Sequence, residues 1–212
     1  MNEEYARKLA IQLLEIGAVK LKPEEPFTWS SGWKSPIYCD NRLTLSYPAL
    51  RTSIKKGLSE MIKKHFSSVE CIVGVATAGI PQGALVADEL GLPFVYVRSK
   101  PKEHGMGNLI EGKMDEGQKV VIIEDLISTG GSSLKVAEAV QQSGGEVLGM
   151  AAIFTYGFIS AEKAFAFKNI PLKTLSNYEF LIEEALEKGF IRPELLESLK
   201  AWRTEPESWK KI

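Results

Sequence analysis

The chain has 212 residues, 44% of them hydrophobic and 25% charged, which suits one domain of ordinary size and excludes a disordered chain. Its 26 Lys and Arg against 27 Asp and Glu leave a net charge of -1, so a generic basic footprint for nucleic acid is excluded. No apolar run approaches the ~20 residues of a membrane span. The opening Met1-Asn2-Glu3-Glu4 is acidic and runs into an amphipathic pattern, unlike a signal peptide. Cys39 and Cys71 each sit in an apolar stretch and are expected to be buried thiols, while His65 and His104 lack partners at metal-ligand spacing. These features point to a cytoplasmic protein.

Tyr5, Leu9, Leu13 and Ile16 recur at helical spacing and predict a helix over residues 3–16, stopped by Gly17. The turn-rich run Lys22-Pro23-Glu24-Glu25-Pro26 leads to short strand-like pieces over 27–29 and 37–40, with a breaker-rich loop over 30–36 between them. This opening reads as a small irregular lobe. From Pro48, the residues Leu50, Ile54, Leu58, Met61 and Ile62 predict a long helix whose lysines form a solvated face. Strands are predicted over 71–75, 94–97, 119–123 and 147–154, and helices over 81–90 and 132–143. Strands that are apolar throughout, without alternation, belong to a parallel sheet covered on both faces. Their alternation with helices predicts a doubly wound α/β core. A strand over 172–175 follows, then two helices, one carrying Tyr178, Leu181, Ile182 and Ala185 and one carrying Leu195, Leu196 and Leu199 after Pro193. No repeat or clean linker divides the chain. A single domain over 1–212 is expected, with the small lobe over 1–45, the α/β core over 46–175 and terminal helices over 176–212.

The chemistry concentrates in Val120-Val121-Ile122-Ile123-Glu124-Asp125-Leu126-Ile127-Ser128-Thr129-Gly130-Gly131-Ser132-Ser133. Four apolar residues make a buried strand, and two carboxylates follow where it should emerge at the carboxyl edge of the sheet, the edge where open α/β sheets bind ligands. The Thr-Gly-Gly-Ser turn into a helix offers backbone N–H groups to a phosphate, with donors from Thr129, Ser132 and Ser133. A ribose 5-phosphate fits both ends, since carboxylates accept well from vicinal hydroxyls. A second segment, Arg98-Ser99-Lys100-Pro101-Lys102-Glu103-His104-Gly105, is a basic, glycine-flanked loop directly after a strand, as a lid over a polyanion would be.

The order of strand, acidic pair, short linker, TGGS and helix resembles the motif of type I phosphoribosyltransferases that binds phosphoribosyl pyrophosphate (PRPP), and it lacks the GK[ST] of a Walker A loop. Arg98, Lys102, His104 and Gly105 resemble the flexible catalytic loop of orotate phosphoribosyltransferases. The opening FTWSSGWKSPIY and the turn Gly74-Val75-Ala76-Thr77-Ala78-Gly79-Ile80-Pro81 are similar to segments of the same family. The resemblance spans residues 1–175.

That resemblance implies the type I phosphoribosyltransferase fold, a parallel sheet flanked by helices under a small N-terminal hood. It implies transfer of ribose 5-phosphate from PRPP to orotate, giving orotidine 5'-monophosphate and pyrophosphate in pyrimidine biosynthesis. It assigns Glu124, Asp125, Leu126, Ile127, Ser128, Thr129, Gly130, Gly131 and Ser132 to the ribose 5-phosphate of PRPP. Arg98, Lys102 and His104 would meet the pyrophosphate, Ser128 would touch orotate, and the backbone of Ile37-Tyr38-Cys39 would frame it. Lys102, His104 and Asp125 are the implied catalytic groups. Magnesium is the implied cofactor, held mainly through PRPP with no direct protein ligand. A homodimer with shared active sites is implied, with no nucleic-acid or membrane partner. The chain departs from many relatives at four places. Ala78 and Ser30 stand where a Lys is common, Tyr156 where an orotate-contacting Arg is common, and Ser99, with Lys100 beside it, where the loop has a Lys. Two rival readings are a transferase for purine or uracil and a non-catalytic PRPP sensor. The loop and the opening segment argue against the first, and the neutral chain without a helix-turn-helix argues against the second.

Overall fold

The computed structural model describes residues 2–29, 31–98 and 109–209. Helix α1 (Glu3–Glu15) starts at Asn2, whose side chain accepts from the Tyr5 N–H, and buries Ala6, Leu9, Ala10, Leu13 and Leu14 in the expected rhythm. The hood follows. It consists of β1 (Val19–Leu21), β2 (Phe27–Thr28), β3 (Lys34–Ser35) and β4 (Ile37–Cys39) in two small antiparallel ladders, β1 with β4 and β2 with β3. The expected loop over 30–36 is therefore interrupted, because Thr28 and Phe27 pair with Lys34 and Ser35. Strand β1 was not foreseen, and three residues are too few to display a period.

A 3-10 helix (Asn41–Ser46) leads into α2 (Pro48–His65), with Pro48 in the first turn where its missing N–H costs no hydrogen bond. The core then runs through β5 (Cys71–Val75), α3 (Gly79–Leu90), β6 (Phe94–Val97) and β7 (Ile110–Glu111). It continues with β8 (Lys119–Ile127), α4 (Gly131–Gln142), β9 (Glu146–Thr155), α5 (Ile159–Phe167) and β10 (Leu172–Asn177). Six of these strands form one sheet in the order β10-β9-β8-β5-β6-β7, parallel except for β7 against β6. Val120, Val121, Ile122 and Ile123 of β8, and Cys71, Ile72 and Val73 of β5, are wholly inaccessible, as continuous apolar strands under two layers require. Helix α5 escaped the sequence reading because only Ala161 and Phe165 of it are buried, a stripe too thin to register.

One boundary matters for function. Strand β8 was expected to end at Ile123, but it continues to Ile127. The longer β9 goes on supplying backbone partners, Glu124 against Ala152 and Leu126 against Phe154. The acidic pair is thus held on the strand itself and not beyond it.

The C-terminal part, α6 (Tyr178–Glu187) and α7 (Leu196–Thr204) joined through a 3-10 turn (Pro193–Leu195), closes back on both ends of the chain. Arg7 of α1 meets Glu183 and Glu184 of α6 at 2.9 and 3.1 Å, and Ser176 donates to the Ala6 carbonyl at 2.8 Å. Helix α1 therefore packs with α6 and β10, while the hood proper is the segment after it. Trp202 of α7, fully buried, donates from Nε1 to the Lys34 carbonyl at 3.2 Å and so ties the last helix to the hood. No helix among the described residues is long and apolar enough to cross a membrane.

Candidate active site

In the chain direction, β6 lies to one side of β5 and β8 to the other, so the strand order reverses between β5 and β8. Crevices at such a reversal, outside the carboxyl ends of the strands, are where α/β sheets hold ligands. Two turns meet there. After β5 the chain makes the tight turn over 76–79, in which the Ala76–Thr77 peptide is cis and the Ala76 N–H donates to the Val97 carbonyl at 3.0 Å. Gly79 is required for closeness, since any Cβ there would run into the carbonyl of Ile123 in β8. After β8 comes the Ser128-Thr129-Gly130-Gly131-Ser132 turn that opens α4. Gly130 caps this helix in the left-handed conformation, φ +79°, and its carbonyl accepts the Leu134 N–H at 2.9 Å. The free N–H groups of the first turn of α4 then point outward with the positive end of the helix dipole, ready for a phosphate.

This turn is a ridge between two clefts. On one side a cleft of about 700 Å³ is lined by Phe27, Trp29, Trp33, Tyr38 and Cys39 of the hood, and by Leu126, Ser128, Thr129 and Tyr156 of the core. Trp29 stacks on Tyr156 at 5.3 Å between centroids, and Trp202 stands edge-on to both at 5.6 and 5.5 Å. The aromatic walls and few polar groups suit a flat heterocycle. The Tyr156 hydroxyl has no hydrogen-bond partner among the described residues, and burial holds it well above the usual phenol range. On the other side a cleft of about 580 Å³ lies between the end of β5 and the turn after it (Val75, Ala76), Arg98 and Leu109, and Gly131, Ser132 and Lys135 of α4. The Arg98 N–H donates to the Leu109 carbonyl at 2.9 Å, and Val97 pairs with Ile110, so both ends of the basic loop are anchored beside the phosphate turn.

The acidic pair sits where these parts join. Glu124 is 6% exposed. It accepts from the Ser133 hydroxyl at 3.0 Å and from the Asp125 N–H at 3.1 Å. Burial first, and then the charge of Asp125, push its carboxyl up to about 8. Asp125 is raised as well, by its own burial. Burial and mutual repulsion therefore favour a proton retained on the pair at neutral pH, on Glu124.

Most of the residues singled out from the sequence converge here. Leu126, Ser128 and Thr129 face the aromatic cleft and Arg98, Gly131 and Ser132 the other. Ile127 points into the core, fully buried, and its carbonyl is occupied by the Tyr156 N–H and the Thr155 hydroxyl. Lys102 and His104 lie outside the described residues, as do Ser30, Ser99 and Lys100. Ala78 sits at the start of α3. Cys71 is buried as expected, but Cys39 is only half-buried and lines the aromatic cleft, because β4 is a hood strand with one face open. The aromatic wall itself was not read from the sequence. Trp29 lay at the end of a short expected strand and Trp33 in the expected loop over 30–36, and Trp202 lies far away in the chain with no pattern to connect it.

Residues 47–187 match the family model described as Phosphoribosyl transferase domain. An orotate phosphoribosyltransferase of Cytophaga hutchinsonii is 58% identical over 207 residues, 98% of this chain and 99% of that one. One from Bacillus pumilus is 60% identical over 204 residues, covering 95% of this chain and 96% of its own. Among solved structures, the orotate phosphoribosyltransferase of Aeropyrum pernix superposes with a TM-score of 0.71 at 27% identity, covering 83% of this chain and 98% of its own. With its reversal-point crevice, phosphate turn and acidic pair, and with relatives this similar along nearly the whole length, the chain belongs to the orotate phosphoribosyltransferase family.

Proposed function

We propose that the chain transfers the 5-phosphoribosyl group of PRPP to orotate, releasing pyrophosphate and orotidine 5'-monophosphate, a step of UMP synthesis. The observation that carries this reading is the meeting of an aromatic cleft and a phosphate turn, directly after an acidic pair at the end of β8. In the reaction the bond from C1 of ribose to the pyrophosphate oxygen breaks, a bond from C1 to a ring nitrogen of orotate forms, and that nitrogen gives up its proton. The TGGS turn holds the 5-phosphate, and Glu124 and Asp125 accept from the ribose hydroxyls. Such donors favour the ionised carboxylates and draw the proton off Glu124. The resulting negative charge lies near the carbon on which positive charge grows. Orotate occupies the aromatic cleft lined by the hood and Tyr156, beside Ser128. Arg98, Lys102 and His104 neutralise the departing pyrophosphate, and closure of the loop excludes the water that would hydrolyse PRPP.

Magnesium suits this site. The ion would be held mainly through PRPP, whose phosphate oxygens with water are the hard ligands it prefers, while the Glu124 and Asp125 carboxylates on β8 favour its charge nearby without ligating it. When bound, the ion supplies charge neutralisation on the pyrophosphate. Both cysteines are free, as a reducing compartment keeps them, which supports a cytoplasmic location. The test is spectrophotometric. With PRPP and Mg²⁺ the protein should consume the ultraviolet absorbance of orotate and leave uracil, adenine and hypoxanthine untouched. Consumption of one of those bases in place of orotate would overturn the assignment.

A further inference from the structure

Beyond Ile123, strand β8 outruns β5, whose pairing with it stops at Gly74 against Ile123. Carbonyls two residues apart on a strand share an edge. The Ile123 carbonyl on this edge faces Gly79, so the next one, that of Asp125, has no strand to bond. Asn41 fills the vacancy. It is 1% exposed, opens the 3-10 helix after the hood, and donates from Nδ2 to the Asp125 carbonyl at 2.7 Å. Its Oδ1 accepts from the Cys39 thiol, at 3.3 Å, on the wall of the aromatic cleft. Its own carbonyl accepts from the Thr44 hydroxyl at 2.6 Å, and Thr44 in turn accepts from Nε2 of Gln82 at 3.3 Å. Thr44 and Gln82 are 0% and 2% exposed, and Gln82 belongs to α3, the helix that starts at the turn over 76–79. The buried amide of Asn41 thus joins the wall of the aromatic cleft to the acidic strand, and its backbone carbonyl, through Thr44, reaches the helix behind the other turn.

Buried polar groups are costly unless satisfied, and a connected set fixes one geometry where an apolar filling would tolerate several. We propose that Asn41 is a positioning residue for the reaction. By holding the Asp125 carbonyl it sets the direction of the Asp125 carboxylate, and through Cys39 and the Thr44–Gln82 bond it keeps that direction in register with both clefts. Burial, and then the charge of Asp125, hold the Cys39 thiol well above its usual range, so it remains the S–H donor this arrangement needs. The proposal rests on the phosphoribosyl-transfer reading above.

The experiment is a double-mutant cycle on the full chain with orotate, PRPP and Mg²⁺, with kcat, both KM values and thermal stability measured for each variant. Asn41→Leu should lower kcat by about tenfold while KM for PRPP moves less than about threefold, the pattern of an interaction lost in the transition state. In an Asp125→Asn background, whose carboxylate charge is already gone, the same change should lower the residual kcat by less than about threefold. Equal losses in both backgrounds would overturn the proposal and leave Asn41 a structural residue. Should Asn41→Leu fail to fold, Thr44→Val carries the test, since it keeps shape and removes the hydroxyl, with Thr44→Ser as rescue. A kcat lowered by Val, restored by Ser and insensitive to Val when Asp125 is Asn supports the proposal. Equal kcat for the Val and Ser variants overturns it. A parent protein inactive with orotate would strike the functional reading instead, which separates the two failures.

Discussion

At the scale of a residue, Glu124 combines burial with a neighbouring like charge, and both effects make its ionised form costly. The folded protein therefore binds a proton there that the unfolded chain releases from about 4.5, and keeps it up to about 8. The sign follows. This group's contribution to stability is fully present below the unfolded value and is lost as pH rises through the folded one. Glu124→Gln, which cannot ionise, should have a melting temperature that falls less than the parent's between about pH 5 and about pH 9. Parallel curves would mean that Glu124 is ionised in the fold throughout. The same substitution removes a charge that the transition state uses. Turnover should therefore fall by comparable factors for orotate with PRPP and for orotidine monophosphate with pyrophosphate, because both directions cross one barrier. Full activity in both directions would leave Glu124 as a mere strand residue. Stability toward alkali and activity thus move in opposite senses at one side chain, the signature of a strained site group.

At the scale of an element, the phosphate turn separates two kinds of glycine. Gly130 has φ +79°, and a Cβ would stand 2.7 Å from the ring of Phe165 in α5. A side chain there incurs the left-handed penalty of about 1–2 kcal/mol, and crowding of α5 adds to it. Gly131 has open space where its Cβ would be. Gly131→Val should keep the parent's circular dichroism and melting temperature and lose PRPP binding in calorimetric titration with Mg²⁺, whereas Gly130→Val should also melt earlier. Undiminished PRPP binding by folded Gly131→Val would remove the turn from the site. The turn was legible in the sequence because its parts are local, four apolar residues, two acids and TGGS in one run. Strand β5 was legible for the same reason, since burial on both faces leaves a continuous apolar signal. What stayed hidden depends on distant partners. The end of β8 is set by the length of β9, the pairing of Lys34 by Thr28, and the aromatic wall by Trp202 closing over the hood. Ile127, read as a ligand-facing residue, is oriented by strand alternation that the short expected strand did not reach.

At the scale of the whole molecule, the proposed homodimer raises the question of which subunit's loop serves which site. The cations assigned to the leaving pyrophosphate lie in a loop anchored at Arg98 and Leu109, beside the phosphate turn. Tyr38, on the wall of the aromatic cleft, and Leu43 and Tyr47 soon after it in the chain are 43%, 39% and 42% exposed, large apolar side chains in one short stretch such as a contact between copies would use. If the loop of each copy serves the site of the other, two inactive variants should repair one another. Lys102→Ala and Asp125→Asn should each lose at least ~10²-fold in kcat, one for want of leaving-group neutralisation and the other for want of charge near C1. Refolded together in equal amounts, half of the dimers are mixed. In each mixed dimer one site carries both lesions, and the other joins an intact Asp125 to an intact Lys102 from its neighbour. About a quarter of the parent activity should return. A loop that closes on its own subunit leaves one lesion in every site, and mixing then restores nothing. A different affinity tag on each variant, with purification through both tags in turn, establishes that mixed dimers formed, so an absence of recovery in their presence would assign Lys102 to its own subunit's site. The same mixture with His104→Ala in place of Lys102→Ala should recover to the same extent, because both residues travel on one loop.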